Sequence, residues 1–328
     1  MYFESEVFVL PKVKYQMYHN NKFYASLGNK IIVREKDNSQ WNDYIIIEKL
    51  SLINYFELYN RLLRHGIHNF YKIDEYIDCI IIKANILFYN NKELVNVLKL
   101  ENGSRPLRNG IVYKSDHIIY SEYYGNKDRQ PVNIYKYNFI EDKREIIYTF
   151  NNIRHIHFIQ EDIKDHDRLY IGTGDLDNEC GFYIFNLQKK EMKKIDGDSQ
   201  IWRAVSILQN NNSLYWGTDD PSGKNYIIKY SLENNKLEKI QEISGPAYYS
   251  TITKNQEMFI ATTIEDRKRH KAIIYKSLNG EIWDKYMEFK KDIFHTKYFG
   301  YGLIEFINNQ KELEELIYNL NGLKLGNL

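Results

Sequence analysis

The 328-residue sequence contains little of what marks several common protein classes. Its only two cysteines, Cys79 and Cys180, lie far apart and follow no metal-ligand spacing, so we expect buried thiols rather than a disulfide framework. It has only five prolines and no linker rich in Pro, Gly or Ser. These absences favour one domain that spans residues 1–328.

Neither sign of charge is in excess, because the sequence has 45 basic and 44 acidic residues. Nucleic-acid-binding proteins usually carry a basic excess, so no nucleic-acid partner is expected. No stretch approaches the roughly 18 apolar residues of a membrane-spanning helix, and Met1–Lys14 lacks the features of a secretion signal. The sequence therefore predicts no membrane partner and a cytoplasmic location.

Aromatic residues are abundant: 29 Tyr, 16 Phe and 4 Trp. Aromatic and β-branched side chains suit the half-buried surface of a sheet, so this composition favours strands over helices. The many Asn residues, including Asn-Asn pairs, are interpreted as a general compositional bias.

A short pattern recurs about every 45 residues. The segment Asp-Arg-Leu-Tyr-Ile-Gly-Thr-Gly-Asp at 167–175 aligns with Asn-Ser-Leu-Tyr-Trp-Gly-Thr-Asp-Asp at 212–220, so that Gly172 and Gly217 lie 45 positions apart. A further copy contains Met258–Thr263. Each unit has three apolar runs and a more polar fourth run, which is typical of the four-stranded blade of a β-propeller.

Counting units predicts an all-β propeller of seven four-stranded blades, with six as the alternative. The last unit looks short, so residues 6–10 are expected to add a strand that closes the ring. Helical spacing of apolar residues predicts one helix between the first two units, over residues 52–63, and a second helix over 313–320 behind Asn309, where the blade count also calls for strands.

The stretch Ser277-Leu278-Asn279-Gly280-Glu281-Ile282-Trp283 resembles the Asp-box, the Ser-x-Asp-x-Gly-x-x-Trp hairpin of sialidase-like propellers, with Asn in place of Asp and one residue missing. The resemblance covers the repeat over about residues 100–290. It implies a structural turn between the two outer strands of a blade, away from the active site.

In a propeller the innermost strands begin near one mouth of the central channel, so side chains at those positions can converge. Arg108, Arg154 and Arg203 occupy such positions in three consecutive units. Converging guanidinium groups need a carboxylate or another anion between them, and Arg binds carboxylates with fixed geometry. Arg–Asp pairs between blades would explain the same pattern without a ligand.

The sialidase resemblance implies roles for these and neighbouring residues. Three arginines would bind a substrate carboxylate, a Tyr–Glu pair would supply the nucleophile, and an Asp would be the acid/base. The arginine-bearing Phe-Arg-Ile-Pro motif of sialidases is absent. The candidates here are Arg108, Arg154 and Arg203 for the clamp, Tyr248 or Tyr249 with Glu265 or Glu122, and Asp175 or Asp219.

His155 and His157 lie two apart on a predicted strand, so both side chains are expected on one side. Either could be a catalytic base, as in propeller polysaccharide lyases that use His and Tyr. Trp202 and Trp216 could stack on a sugar or pack between blades.

These patterns predict a carbohydrate-active propeller that recognises an acidic sugar and has no cofactor and no metal. A sialidase-like hydrolase is one reading; a non-catalytic glycan- or protein-binding propeller and a lyase are the alternatives. The predicted catalytic residues are Tyr249, Glu265, Asp175 and His157. The predicted substrate-binding residues are Arg108, Arg154, Arg203, His155, Trp202 and Asp219.

Overall fold

The computed structural model describes residues 13–48, 50, 56–102, 105–210, 212–266 and 269–325. Its main architecture is a β-propeller of six antiparallel blades, in which each chain segment runs as a meander from the innermost to the outermost strand. The prediction of an all-β propeller is therefore confirmed. The predicted strand at residues 6–10 lies outside the described residues.

Blades 1 to 3 hold the first twelve strands. Blade 1 contains β1 (Lys14–His19), β2 (Lys22–Leu27), β3 (Lys30–Glu35) and β4 (Asn42–Ile46). Blade 2 contains β5 (Ile67–Lys72), β6 (Ile77–Ile82), β7 (Asn85–Asn90) and β8 (Glu93–Lys99). Blade 3 contains β9 (Ile111–Tyr113), β10 (His117–Tyr120), β11 (Val132–Asn138) and β12 (Lys143–Phe150).

Blades 4 to 6 carry the clearest copies of the repeat. Blade 4 contains β13 (His155–Glu161), β14 (Arg168–Gly174), β15 (Gly181–Asn186) and β16 (Glu191–Gly197). Blade 5 contains β17 (Leu208–Asn210), β18 (Ser213–Gly217), β19 (Asn225–Ser231) and β20 (Lys236–Ile243). Blade 6 contains β21 (Ala247–Ile252), β22 (Met258–Thr262), β23 (Lys271–Ser277) and β24 (Asp284–Lys291).

The last unit of the repeat is not a four-stranded blade. It forms a two-stranded sheet of β25 (Leu303–Phe306) and β26 (Tyr318–Asn321), and the short β27 (Leu323–Leu325) then pairs with β24 at the edge of blade 6. The prediction of seven four-stranded blades is wrong, and the alternative of six is correct. The reason is that the chain after β26 returns to blade 6 instead of continuing outward.

Apolar clusters fill the space between successive sheets, as a ring of stacked sheets requires. One cluster joins blades 1 and 2 and includes Met17 and Phe70, both fully buried. Another joins blades 4 and 5 around Trp216. A last one packs Phe23 of blade 1 against Ile307, just after β25, so the two-stranded sheet fills the gap between blades 6 and 1.

Some Asn-Asn pairs have a structural role that the compositional interpretation missed. Asn20 and Asn21 connect β1 to β2 with positive φ angles of 47° and 59°, and His19 pairs directly with Lys22. A two-residue hairpin of this kind needs positive φ at both central positions, and Asn tolerates that conformation better than most residues. These two asparagines therefore fix the register of the first hairpin.

One of the two predicted helices is present. The α-helix α1 spans Glu57–Leu63, while residues 52–55 of the predicted segment are not described. The second prediction is wrong: residues 313–317 are irregular and β26 begins at Tyr318, after a single 3-10 turn at Gln310–Glu312. The apolar spacing there reflects packing on two sides, of Leu313 and Ile317 toward blade 1 and of Leu316 and Leu320 toward blade 6. A four-residue helix that the sequence did not indicate, α2, spans Thr296–Phe299.

The Asp-box-like stretch forms a tight turn between β23 and β24, the outer strands of blade 6. Ser277 Oγ accepts a hydrogen bond from Gly280 N at 2.9 Å, and Asn279 Oδ1 accepts from the next two backbone amides. Gly280 has φ of 79°, and a Cβ there would lie 2.5 Å from the hydroxyl of Tyr215. The turn is structural and packs the buried Trp283 against blade 5.

Both cysteines are buried free thiols, as predicted. Among the residues that the structure describes, no helix has the length and apolar character needed to cross a membrane.

Candidate ligand-binding cavity

A cavity of about 980 Å³ lies at the mouth of the central channel where the innermost strands begin. Residues at or just before the starts of β5, β13, β21 and β25 line it, among them His68, His155, Tyr249 and Glu305. Its volume falls in the usual range of small-molecule sites. The cavity lies at the end of the channel where the repeat predicted that side chains converge.

Repeated bulges near the starts of the innermost strands shape the wall of this cavity. An extra residue is inserted in β5 at His68, in β13 at His157 and in β21 at Tyr248, and all three line the cavity. Bulges re-aim side chains and are common beside functional sites. The bulge in β21 also allows two consecutive residues, Tyr248 and Tyr249, to line the same cavity.

Seven of the ten predicted site residues line the cavity, and three do not. Asp175 and Glu265 lie behind it and contact residues of its wall. Trp202 is only 4% exposed and packs against Phe182 and Trp216 between blades 4 and 5. The prediction that Trp202 binds substrate is wrong, because its ring faces the core, as does that of Trp216. The seven are Arg108, Arg154, His155, His157, Arg203, Asp219 and Tyr249.

Asp175 joins the cationic side chains of blades 4 and 5. Its Oδ2 accepts a hydrogen bond from Arg154 Nη1 at 3.0 Å and lies 3.5 Å from His155 Nε2. Its Oδ1 lies 3.1 Å from Arg203 Nη2 and 3.3 Å from His157 Nε2. Each oxygen of this carboxylate therefore contacts one arginine and one histidine.

The surroundings of Asp175 keep it ionised. Although burial alone would raise the pKa of this carboxyl, the hydrogen bond from His157 and the nearby charge of Arg203 hold that pKa well below its usual range. An acid/base catalyst must exchange a proton near neutral pH. The acid/base role predicted for Asp175 therefore does not fit, and its role is to hold Arg154, Arg203 and the two histidines.

The two histidines direct the same ring nitrogen at Asp175. Because an ionised carboxylate only accepts hydrogen bonds, Nε2 of each ring carries the hydrogen. Both Nδ1 atoms are buried without a partner among the described residues. Burial lowers the pKa of His155 to about 4, and the ring of Tyr123 stacks on it at 4.2 Å.

Asp219 of blade 5 forms the next part of the wall, and Glu265 of blade 6 lies behind it. Asp219 is 3% exposed. Its Oδ2 accepts a hydrogen bond from Arg203 Nε at 3.2 Å, and its Oδ1 has no partner among the described residues. Burial raises the pKa of Asp219 well above the ordinary value, against the attraction of Arg203, and the charge of Glu265 adds to the rise. Burial also raises the pKa of Glu265.

Tyr248, rather than the predicted Tyr249, pairs with Glu265. The hydroxyl of Tyr248 interacts electrostatically with the Glu265 carboxylate, and burial raises the pKa of Tyr248 strongly. Tyr249 instead faces the charges of Arg105, Arg108 and Glu305. The predicted Tyr249–Glu265 pair is therefore absent, because the bulge turns Tyr248 toward Glu265.

Glu122, the alternative partner for a tyrosine, has a structural role. Its buried carboxylate accepts hydrogen bonds from the backbone amides of Glu101 and Asn102 and from the side chain of Asn102. It lines a separate polar pocket of about 210 Å³ in blade 3. It is thus not part of the central cavity.

The opposite wall of the cavity is strongly basic. Lys14 Nζ lies 2.7 Å from Glu305 Oε2, and Arg108 Nη1 lies 4.0 Å from the same oxygen. Within the described part of the chain, no hydrogen bond or ion pair engages the guanidinium groups of Arg64 or Arg105. Four cations of this wall therefore face a single carboxylate.

Two insertions of the chain form a cap beside the basic wall, and we call α1 and α2 together the cap. Arg61 of α1 donates to Asp292 Oδ2 at 2.6 Å and to the carbonyl of Phe299 in α2 at 3.0 Å. Both members of the ion pair are less than 10% exposed. The cap places Arg64 and Tyr301 at the edge of the cavity.

Several cavity residues were missed by reasoning from the sequence. Tyr123 follows β10, Tyr301 follows α2, and Lys14 and Glu305 belong to the two least regular units of the repeat. Only Arg64 and Arg105 had a signal, since both precede innermost strands. Among the described residues, no group of three or more His, Cys, Asp and Glu side chains could hold a metal ion.

Comparisons with known proteins add information on the fold alone. No protein family model matches the sequence. No curated protein matches it either. Among solved structures, the chain is similar to the crystal structure of the computationally designed Ika8 protein, with a TM-score of 0.53, 8% sequence identity and 95% coverage of each chain. At that identity the likeness extends to the fold and not to any activity.

Proposed function

We propose that this protein binds an acidic carbohydrate in the central cavity. The observation that carries the proposal is the basic wall, where the guanidinium groups of Arg64 and Arg105 have no acceptor among the described residues and Arg108 lies beside them. Guanidinium groups that converge without an anion repel one another, and a carboxylate is the planar acceptor that suits them.

The rest of the cavity suits a ligand that is rich in hydroxyl groups. Three residues that line the cavity, His155, His157 and Asp219, have a buried polar atom without a partner among the described residues. Buried polar atoms are nearly always hydrogen-bonded, so a cavity with several unsatisfied ones favours a polar occupant. An acidic sugar offers both the carboxylate for the basic wall and hydroxyl groups for these atoms.

Calorimetric titration tests the proposal with three ligands: glucuronic acid, N-acetylneuraminic acid, and glucose as a neutral counterpart. We expect binding of an acidic sugar and no measurable binding of glucose. Arg105→Ala should weaken binding at least about tenfold, because it removes charge-assisted hydrogen bonds worth about 1.5–3 kcal/mol. Arg168→Ala, at a half-exposed arginine outside the cavity, is the matched control and should bind normally.

Equal binding of glucose and glucuronic acid would contradict the role of the basic wall. So would normal binding by Arg105→Ala. Binding of neither acidic sugar by the folded protein would remove this proposal and favour a propeller that binds a protein partner.

Glycoside hydrolysis is the second candidate function, and the pairing of Tyr248 with Glu265 beside Asp219 favours it. In such a reaction Tyr248 Oη would attack the anomeric carbon while Glu265 takes its proton. Protonated Asp219 would donate a proton to the departing oxygen, and water would then release the sugar from the tyrosine.

Release of reducing ends from acidic oligosaccharides tests hydrolysis. Tyr248→Phe should lower the rate by at least about a hundredfold, since it removes the attacking atom. Tyr249→Phe is the matched control, because Tyr249 lines the same cavity without contacting Glu265. A product that absorbs in the ultraviolet, without new saturated ends, would instead indicate elimination by His155 and would refute hydrolysis.

A further inference from the structure

We propose that Asp175 is a positioning residue: it holds the guanidinium of Arg203 and thereby keeps Asp219 protonated, as a hydrogen-bond donor of the cavity. Only the ligand-binding arm of its test rests on the proposed function. Asp175 does not line the cavity, so it would influence the cavity only through Arg203 and Asp219.

The orientation of Arg203 is the first step. Its Nη1 donates to the backbone carbonyl of Asp175 at 3.0 Å, and its Nη2 lies 3.1 Å from Asp175 Oδ1. Only Nε is left for Asp219, at 3.2 Å. Because Asp175 occupies both terminal nitrogens, Asp219 receives the weaker, single contact with the cation.

The balance of charge is the second step. Arg203 favours the ionised form of Asp219, whereas the negative charges of Asp175 and Glu265 oppose it. Burial opposes ionisation most strongly, because Asp219 is 3% exposed and its Oδ1 has no partner among the described residues. Loss of the Asp175 carboxylate would remove one opposing charge and release Arg203 toward Asp219, so both effects favour an ionised Asp219.

Other charged and titratable groups surround this pair. Arg154, His155 and His157 contact the carboxylate of Asp175. Tyr123, Tyr248 and Tyr301 interact electrostatically with Asp219, and burial raises the pKa of each tyrosine, so all three stay uncharged at neutral pH. The charges that act on Asp219 most strongly are those of Arg203, Glu265 and Asp175.

Infrared spectroscopy of the ligand-free protein tests the inference, because protonated and ionised carboxyl groups have separate stretching bands. The wild type should show a protonated carboxyl band at pH 7 that disappears in Asp219→Asn. In Asp175→Asn the band should titrate at least about one pH unit lower than in the wild type. Asp128→Asn, at an exposed position, is the matched control and should leave the titration unchanged.

A charge-balanced variant tests whether Asp175 acts on Asp219 through Arg203. Asp175→Asn/Arg203→Gln removes one anion and one cation, so it also serves if Asp175→Asn alone does not fold. If Asp175 acts through Arg203, this double variant should titrate within about half a pH unit of Arg203→Gln. An infrared midpoint in Asp175→Asn equal to that of the wild type overturns the inference. A difference of about one pH unit or more between the midpoints of Arg203→Gln and the double variant also overturns it.

The pH dependence of glucuronic acid binding separates this inference from the proposed function. Wild-type affinity should fall as pH rises through the midpoint of the infrared titration, and in Asp175→Asn it should fall at the lower midpoint. If the infrared titrations behave as stated and no acidic sugar binds, the proposed function fails and the role of Asp175 stands. If sugars bind and the midpoints do not differ, the role of Asp175 fails.

Discussion

Gly172 recurs in the repeat because the ring of Phe158 occupies the space that a side chain would need. The two residues face each other on β14 and β13, and a Cβ on Gly172 would lie 2.1 Å from Cε1, 2.5 Å from Cδ1 and 2.8 Å from Cζ of that ring. Phe158 is fully buried, so its ring has no open space into which to move. We therefore expect Gly172→Ala to destabilise the protein by overpacking.

The cost should be about 1–3 kcal/mol, which is usual for extra methyl groups in a well-packed core. For a chain of this size that corresponds to a fall in Tm of about 2 °C per kcal/mol. Urea unfolding followed by tryptophan fluorescence measures the free energy directly, and calorimetry gives Tm. If the slope of the unfolding free energy against urea concentration is the same in the variant and the wild type, only stability has changed.

A double-mutant cycle identifies the cause. Phe158→Leu removes the ring that overlaps the new Cβ, so Gly172→Ala should cost less than about 1 kcal/mol in that background. The reasoning is refuted if Gly172→Ala costs less than about 0.5 kcal/mol alone, or if its cost is the same with Phe and with Leu at position 158.

Three further predictions concern the cap, the histidines and the outer turn. Arg61→Ala should cost about 3 kcal/mol in urea unfolding, because it leaves the carboxylate of Asp292 buried with a weaker partner; Asp292→Asn should cost less. Because the pKa of His155 is about 4 when folded and near 6.5 when unfolded, stability should fall as pH drops from about 6.5 to about 4, by at most about 3 kcal/mol, and His155→Gln should remove that part of the pH dependence. Asn279→Ala should lower stability by about 1 kcal/mol in thermal unfolding without affecting ligand binding, because it removes two hydrogen bonds from a turn remote from the cavity.

The fold could be predicted because one periodic pattern determined the sheets. Gly172 and Gly217 mark the same position in blades 4 and 5, yet for different reasons: the first lies under a ring of its own blade, whereas a Cβ on the second would lie 2.4 Å from Ala247 of blade 6. The blade count could not be predicted, because the chain after β26 pairs back with blade 6. That return depends on contacts between distant segments, which leave no periodic signal.

The composition of the cavity was partly predictable. Arginines before innermost strands could be located from the repeat, and Arg108, Arg154 and Arg203 do line the cavity. Their chemistry could not be predicted, since Arg154 and Arg203 are paired with Asp175, whereas Arg105 has no such partner among the described residues. Which cation is already paired depends on side-chain positions across blades.

The choice between Tyr248 and Tyr249 shows where period-two reasoning fails. On a regular strand, consecutive side chains point to opposite faces, so only one of two adjacent tyrosines would line the cavity. The bulge in β21 breaks that alternation, and both residues face the cavity with different partners, Glu265 for Tyr248 and the basic wall for Tyr249. The same insertion at His68 and His157 means that bulges, rather than strand alternation, set which side chains line the cavity in three of the blades. The bulge in β21 therefore gives two adjacent tyrosines different partners at the cavity. Comparing Tyr248→Phe with Tyr249→Phe in the hydrolysis assay measures how far the two residues differ in function.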